Sequence, residues 1–197
     1  MINERSGARA VPHIATMRRT KIMTRQNPPP PLPRAAIQAP FAGPILALHP
    51  DWLDHNGHLN MGYYMVAFDL ATDAFLPSCG MGQYGRDRYA ITTMTLEGHI
   101  TYERELLAGA GLRFTTQLLG FDSKRIHYMH FLHHASEGYL ASTNELITIA
   151  VDMNTRRSTA MPAPVLERLA QVLDAHRHLP RPAQMGRVIG VKSGRPK

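Results

Sequence analysis

The sequence has little of what marks a secreted or membrane-spanning protein. It contains a single cysteine, Cys79, among 197 residues, so no disulfide can form within the chain. No apolar run reaches the roughly 18 residues that a membrane-spanning helix requires, and the N-terminus lacks the apolar core of a secretory signal. We therefore expect a cytoplasmic protein without membrane attachment.

Outside the N-terminal segment the sequence has almost no excess of positive charge. The net charge is +7, and residues 1–35 carry +6 of it, from seven Lys or Arg side chains against Glu4. The other 162 residues are nearly neutral. Because the basic charge is confined to one end, no basic face that would bind nucleic acid is expected on the folded part.

Composition predicts three segments. Residues 1–38 lack apolar periodicity and contain the proline run NPPPPLPR, so we expect a disordered basic tail. A targeting peptide, or a start codon assigned too far upstream of Met17 or Met23, would explain the same composition. Residues 39–178 are expected to form the folded domain and residues 179–197 a second basic tail.

Apolar spacing predicts one long helix near the start of the domain. A short apolar run at 43–48 indicates a strand before it. The helix follows from apolar residues at helical spacing, Tyr64, Phe68, Ala71 and Phe75. Asn60 is its expected N-cap, and its mostly apolar composition predicts burial on more than one side.

The rest of the chain reads mainly as strands. β-Branched and aromatic segments indicate strands over 88–107, 111–121, 125–134 and 139–153. Short turn-like links between the last three favour antiparallel hairpins, and helical spacing over 163–179 predicts a C-terminal helix. We therefore predict an α+β fold in which an antiparallel sheet wraps one long central helix.

The stretch DHNGHLN, from Asp54 to Asn60, crowds a carboxylate, two imidazoles and two carboxamides directly before that helix. One interpretation is structural: Asp54 and Asn60 cap backbone donors and Gly57 permits a tight turn. The other is catalytic, because a helix N-terminus can stabilise an oxyanion that forms beside an upstream carboxylate. A thioester would suit such a site, since its thiolate leaves readily. The residues alone leave both interpretations open.

The same stretch resembles the opening of the hot-dog-fold acyl-CoA thioesterases of the 4-hydroxybenzoyl-CoA thioesterase-like superfamily. In that family an Asp-x-x-Gly pair precedes the central helix. The resemblance places the catalytic carboxylate on Asp54, with Gly57 behind it, and the backbone oxyanion donor at Met61, next to Asn60. It implies hydrolysis of an acyl-CoA to free acid and CoA, with no metal or other cofactor.

Two narrower resemblances add residues and a substrate. The stretch is similar to the Asp-x-Asn-x-His-x-Asn motif of plant acyl-ACP thioesterases, which implies roles for Asn56 and His58. Those enzymes add a Glu in a Tyr-x-Arg-Glu strand, and TYERE at 101–105 places it on Glu105. The segments FDSKRIHYMHF, TNELITIAVDM and RRSTAMP resemble the betainyl-CoA thioesterases of carnitine catabolism.

Charged and imidazole side chains elsewhere support weaker hypotheses. Lys124 and Arg125, in a predicted hairpin turn, are either ligands for CoA phosphates or solvated turn charges. Four histidines between positions 127 and 134 alternate between the faces of a predicted strand. Because metal ligands must converge, no metal site is expected there.

The predicted sheet would leave one face uncovered, and the resemblance implies a homodimer or homotetramer with its site at the interface. Two alternatives share the fold: a non-catalytic module that binds acyl-CoA, and a hydratase or dehydratase. A third is an interaction protein that acts through its basic tail.

Overall fold

The computed structural model describes residues 36–191, so most of the predicted N-terminal tail and residues 192–197 lie outside it. One antiparallel sheet packs against helices. The elements in chain order are β1 (Phe41–Ala47), α1 (Met61–Ser78), α2 (Gly82–Tyr89), β2 (Ile91–Tyr102), β3 (Gly111–Phe121), β4 (Arg125–His134), β5 (Leu140–Asp152) and α3 (Ala163–His176). No helix in this range is long and apolar enough to cross a membrane.

The strands lie in the order β1-β3-β4-β5-β2, and all neighbours are antiparallel. Strands β3, β4 and β5 are consecutive hairpins, as their short links predicted. The edges of the sheet are β1 and β2, whose outer backbone groups have no strand beside them within the described chain. The predicted α+β arrangement of one long helix on an antiparallel sheet is confirmed.

Helix α1 starts after Asn60, whose side chain accepts the Gly62 N–H at 2.9 Å. Its buried residues recur at helical spacing, as predicted: Tyr64, Ala67, Phe68, Ala71, Phe75 and Leu76. The opposite side carries further large apolar side chains that are exposed, Met65, Val66 and Leu70. A single chain therefore buries α1 on one side only, and the second apolar side remains uncovered.

A buried histidine of the sheet contacts α1 through a hydrogen bond and a stacked ring. His130 of β4 is fully buried and stacks on Phe68 with ring centroids 6.0 Å apart. Its Nδ1 lies 2.7 Å from the Thr116 hydroxyl and its Nε2 lies 2.9 Å from the Thr72 hydroxyl. Burial lowers the pKa of His130 to about 3, so the ring is neutral. Both nitrogens are satisfied, which assigns this histidine to the core rather than to chemistry.

Two of the predicted boundaries are wrong. A strand from residue 88 was predicted, but Gly82–Tyr89 form α2, which lacks an apolar stripe and contains Gly85. A Cβ at Gly85 would lie 3.2 Å from the Ile91 carbonyl oxygen, so the glycine permits close packing on β2. Strand β2 also ends at Tyr102 instead of residue 107, because the chain then leaves the sheet and forms a loop over 103–107.

A C-terminal strap, residues 180–187, lies on the sheet face opposite α1. The Gln117 side chain donates to the Pro180 carbonyl at 3.5 Å, and the Gly186 N–H donates to Glu145 Oε2 at 2.7 Å. Glu145 Oε1 is 2.8 Å from His127 Nε2 on the same face. The first part of the predicted C-terminal tail is thus attached to the sheet, which its composition did not reveal.

Candidate active site

The polar stretch folds into a tight loop directly before α1. The Asp54 N–H donates to the His58 carbonyl at 2.8 Å, and the Gly57 N–H donates to the Asp54 carbonyl at 3.1 Å. Gly57 has a φ of +78°, in the left-handed region that favours glycine. The chain therefore reverses within five residues and brings its backbone donors around the Asp54 side chain.

Those donors hold one oxygen of the Asp54 carboxylate. Oδ1 accepts the N–H of Asn56 at 2.8 Å and the N–H of His58 at 3.1 Å. Oδ2 accepts no hydrogen bond from any residue between 36 and 191. One oxygen is thus fixed by the backbone, and the other is available for a proton or a carbonyl carbon.

The same hydrogen bonds set the charge of Asp54. Chiefly the His58 N–H, and to a smaller extent the Asn56 N–H, hold its pKa below the usual 3.8, against some desolvation. The carboxylate is therefore ionised at neutral pH. An ionised carboxylate with one oxygen fixed and one open can act as a general base or as a nucleophile.

The first turn of α1 offers a backbone donor. The Asn60 side chain occupies the Gly62 N–H, and the Asn60 carbonyl accepts the Tyr63 N–H at 2.9 Å. The Met61 N–H donates to no acceptor in the part of the chain that the structure describes. Its side chain is 70% exposed, so packing does not cover this end of the helix. The Met61 N–H, at the positive end of the helix dipole, can therefore donate to an oxyanion.

The loop after β2 brings a second carboxylate beside the Asp54 loop. The Leu59 N–H donates to the Leu106 carbonyl at 2.8 Å, and His58 forms a backbone bridge with Leu107. His58 Nε2 consequently lies 3.4 Å from Glu105 Oε2. The predicted partners His58 and Glu105 are thus brought together across two loops.

Asn56 takes part in a different way from the one its motif implied. Its backbone N–H donates to Asp54 Oδ1, while its exposed carboxamide makes no hydrogen bond with residues 36–191. The structure therefore shows a contribution of the Asn56 main chain, and not of its side chain, to the position of Asp54. A role for the Asn56 side chain stays a prediction.

An aromatic corner, Tyr64 and Tyr102, lies at the start of α1, and the sequence interpretation missed it. The two rings meet edge to face, with centroids 5.1 Å apart and planes at 89°. The Tyr102 hydroxyl lies 3.4 Å from the Met61 carbonyl oxygen. The signal in the sequence was the tyrosine of TYERE at the end of the strand, three residues before Glu105.

The structure does not bring Lys124 and Arg125 into this site. Lys124 lies in the β3–β4 turn and Arg125 begins β4, whereas the Asp54 loop lies near the other end of these strands, roughly 30 Å away at about 3.3 Å per residue. Arg125 Nε is 2.8 Å from Asp122 Oδ2. Backbone N–H donors, first that of Lys124, and the Arg125 side chain lower the pKa of Asp122 to about 2. Within one chain, Arg125 is engaged in closing its own turn.

Two other chemistries find little support in the geometry. Among residues 36–191, no three His, Cys, Asp or Glu side chains are grouped to hold a metal ion. Cys79 is buried at the end of α1, and burial raises the pKa of its thiol to about 12. A buried, protonated thiol is a poor nucleophile.

Gly57→Ala tests whether the loop geometry sets the reactivity of Asp54. The Cβ opposes a positive φ, so we expect a stability loss of about 1 kcal/mol. For the thioester hydrolysis that the motif resemblance implies, we expect a kcat/KM about 10-fold lower. Displaced N–H donors would also raise the pKa of Asp54, which moves the acidic limb of the pH–rate profile to higher pH. Calorimetry and pH-dependent kinetics measure the three effects.

The matched control is Gly138→Ala in the β4–β5 turn, where φ is +77° and the space around the Cβ is equally open. It should cost similar stability and leave kcat/KM within about 2-fold, since this turn takes no part in the hydrogen bonds that hold the Asp54 carboxylate. Equal kinetic losses in both variants would contradict a special role for the Asp54 loop.

The chain is similar to known thioesterases. A family model described as the Thioesterase-like superfamily matches residues 48–169. A betainyl-CoA thioesterase of Pseudomonas aeruginosa is 37% identical over 151 residues, which are 77% of this chain and 93% of that relative. A protein of Rhizobium meliloti named L-carnitine dehydrogenase/betainyl-CoA thioesterase is 33% identical over 145 residues, 72% of this chain but 28% of that relative.

Solved structures show the same fold. A hypothetical protein of Staphylococcus aureus in complex with CoA is similar with a TM-score of 0.72 and 30% identity, over 80% of this chain and 98% of that one. A DHNA-CoA thioesterase of the same species has a TM-score of 0.59 at 15% identity, over 67% of this chain and 89% of that one. The second likeness concerns the fold alone.

Proposed function

The chain belongs to the thioesterase-like superfamily, and from that membership and the site geometry we propose how it cleaves its substrate. The hot-dog fold and the enzyme class predicted from the sequence are confirmed: the chain is an acyl-CoA thioesterase, a hydrolase that yields a free acid and CoA. One observation carries the proposed mechanism. A fixed, ionised Asp54 carboxylate lies just upstream of the unoccupied Met61 N–H at the start of α1.

In the proposed reaction, the thioester carbonyl oxygen accepts the Met61 N–H and the carbonyl carbon faces Asp54 Oδ2. Oδ2 either attacks that carbon or removes a proton from an attacking water. Both routes put negative charge on the carbonyl oxygen, which the N–H and the helix dipole stabilise. The CoA thiolate then leaves without a strong general acid, since a free thiol has a pKa of about 8.5. In the first route, water then hydrolyses the anhydride between Asp54 and the acyl group, which releases the free acid and restores the carboxylate.

His58 and Glu105 are assigned supporting roles. Their contact connects the loop that carries Asp54 with the loop after β2. We propose that the pair orients the attacking water or the substrate carbonyl, as the motif resemblance implies. The Asn56 side chain is exposed, and a contact between it and the substrate is proposed from the motif resemblance alone.

The active form is proposed to be a homodimer joined along β2. This edge strand exposes Met94 and Leu96, and the uncovered side of α1 exposes Met65 and Leu70. The two surfaces adjoin, because a Cβ at Gly98 of β2 would lie 3.8 Å from Met65 Cε. An open strand edge beside an apolar helix face is what a second copy would cover. Pairs of dimers would account for the tetramer that the resemblance also allows.

A dimer also gives Lys124 and Arg125 their only route to the substrate. Their turn is too far from Asp54 of the same chain, so phosphate binding in this site would have to come from the turn of a second copy.

A cytoplasmic location stays a prediction that rests on the cysteine content.

The proposed substrate is a small acyl-CoA, betainyl-CoA in particular. The two relatives described above carry that ester in their names, and a structural relative was solved with CoA. Free-thiol release from a panel of betainyl, short aliphatic and aromatic CoA esters tests the assignment. Betainyl-CoA should have the highest kcat/KM. Tight binding of esters without thiol release would instead favour the non-catalytic module, and hydration of an enoyl-CoA would favour the hydratase.

A further inference from the structure

We propose that the aromatic corner of Tyr64 and Tyr102 binds the quaternary ammonium of a cationic acyl group, and that Tyr102 determines this specificity. The inference rests on the proposed function, because it locates the acyl group of the same ester. It adds a binding site and a residue that the motif resemblances do not assign.

The position of the corner fits the length of a betainyl group. One methylene separates its ammonium nitrogen from the thioester carbonyl carbon, so the cation must be bound close to the oxyanion donor. The Tyr102 hydroxyl is 3.4 Å from the carbonyl oxygen of Met61, whose N–H is the proposed donor. This contact places the Tyr102 side chain against the first turn of α1, the turn that carries the donor, and the proposal is that a short acyl chain reaches this ring.

The arrangement of the rings suits a cation. Tyr64 is buried (5% exposed) and supports Tyr102, which is 50% exposed in the single chain. The faces of aromatic rings carry partial negative charge and attract quaternary ammonium groups, which cannot donate conventional hydrogen bonds. A fixed ring behind a partly exposed one therefore provides a preorganised wall for a trimethylammonium group.

Charge around the corner favours the same ligand. The Glu105 carboxylate is close enough to contribute to the raised pKa of Tyr64, which is about 12 mainly because of burial. Asp54 adds a second carboxylate at the start of α1. The nearby cation, Arg104, lies over the Tyr139 ring at 3.9 Å, so an aromatic face already engages it. An acyl group with positive charge is thus attracted by the groups that surround the reacting carbonyl.

Two esters of the same shape, one cationic and one neutral, separate the effect of the positive charge from that of size. In 3,3-dimethylbutyryl-CoA a carbon replaces the ammonium nitrogen of betainyl-CoA, and the rest of the molecule is identical. The measured quantity is the kcat/KM for betainyl-CoA divided by that for the neutral ester. Comparing this ratio between enzyme variants removes the greater intrinsic reactivity of the cationic ester.

Tyr102→Leu keeps an apolar contact but removes the ring, and it should lower the ratio about 10-fold relative to wild type. Tyr102→Phe keeps the ring face, and its ratio should stay within about 3-fold of wild type. As a readout that needs no variant, tetramethylammonium chloride should inhibit the wild type competitively, whereas sodium chloride at equal concentration should not.

An unchanged ratio in Tyr102→Leu would overturn the proposal, as would a Tyr102→Phe variant that loses as much as Tyr102→Leu. Absence of tetramethylammonium inhibition would overturn it even if the leucine variant did not fold. These outcomes leave the thioesterase mechanism intact as long as the wild type releases thiol from either ester. Wild type that releases thiol from neither would contradict the proposed function itself.

Discussion

Asp54→Asn should lower kcat for thioester hydrolysis on the order of 10³-fold or more. The Asn side-chain oxygen can still accept the N–H groups of Asn56 and His58, so the loop before α1 should keep its shape. The carboxamide, however, can neither accept a proton from water at neutral pH nor attack a carbonyl effectively. The loss should therefore appear in kcat, with little change in the affinity for the ester.

Steady-state thiol release and calorimetric titration of the variant with the ester measure the two quantities separately. Asp51→Asn is the matched control, because Asp51 is an exposed aspartate three residues upstream, 3.7 Å from His49. It should retain wild-type kinetics. If Asp54→Asn kept more than about a tenth of the wild-type kcat, the carboxylate would return to the structural role of closing its loop.

Leu70→Arg should convert the proposed dimer into a monomer, with a dissociation constant raised roughly 100-fold or more. Leu70 lies on the uncovered side of α1 together with Met65 and Val66. An arginine there would bring a charge into the apolar centre of the proposed interface, where it would have to lose its water without a partner. Because the monomer already leaves this side exposed, the fold of each subunit should be retained.

Sedimentation velocity over a range of concentrations reports the change in mass, and thiol release reports its effect on catalysis. Ile45→Arg is the control on the opposite edge of the sheet, since Ile45 is an exposed apolar residue of β1, 67% exposed against 41% for Leu70. It should remain a dimer with normal turnover. A Leu70→Arg dimer with wild-type affinity would show that subunits meet elsewhere, and a fully active monomer would show that each chain has a complete site.

The sequence predicted the elements that depend on local patterns. Strands β3 and β4 and the start of α1 were located to the residue, because alternation, turn residues and the Asn60 cap all lie within short windows. Helix α2 was missed because its glycines and charges form no stripe. Gly85 of α2 packs closely on β2, and local spacing does not encode that contact.

In the candidate site, too, local contacts were predictable from the sequence and long-range contacts were not. The Asp54 loop could be anticipated, since its hydrogen bonds join residues at most four positions apart. Contacts between segments that are distant in the chain were harder to predict from the sequence. The position of Tyr102 beside Met61 depends on where β2 ends relative to α1, and the separation of Arg125 from Asp54 depends on which end of the sheet its turn occupies. Both follow from topology, which short motifs do not determine.

The C-terminal strap also has a consequence for biosynthesis. Its contacts with Gln117 and Glu145 join residues that are translated well before it. All five strands leave the ribosome ahead of residues 180–187, so the nascent sheet has one bare face while its other face can already pack on α1 and α3. That face can therefore gain its contacts from the strap only after residues 180–187 have been synthesised.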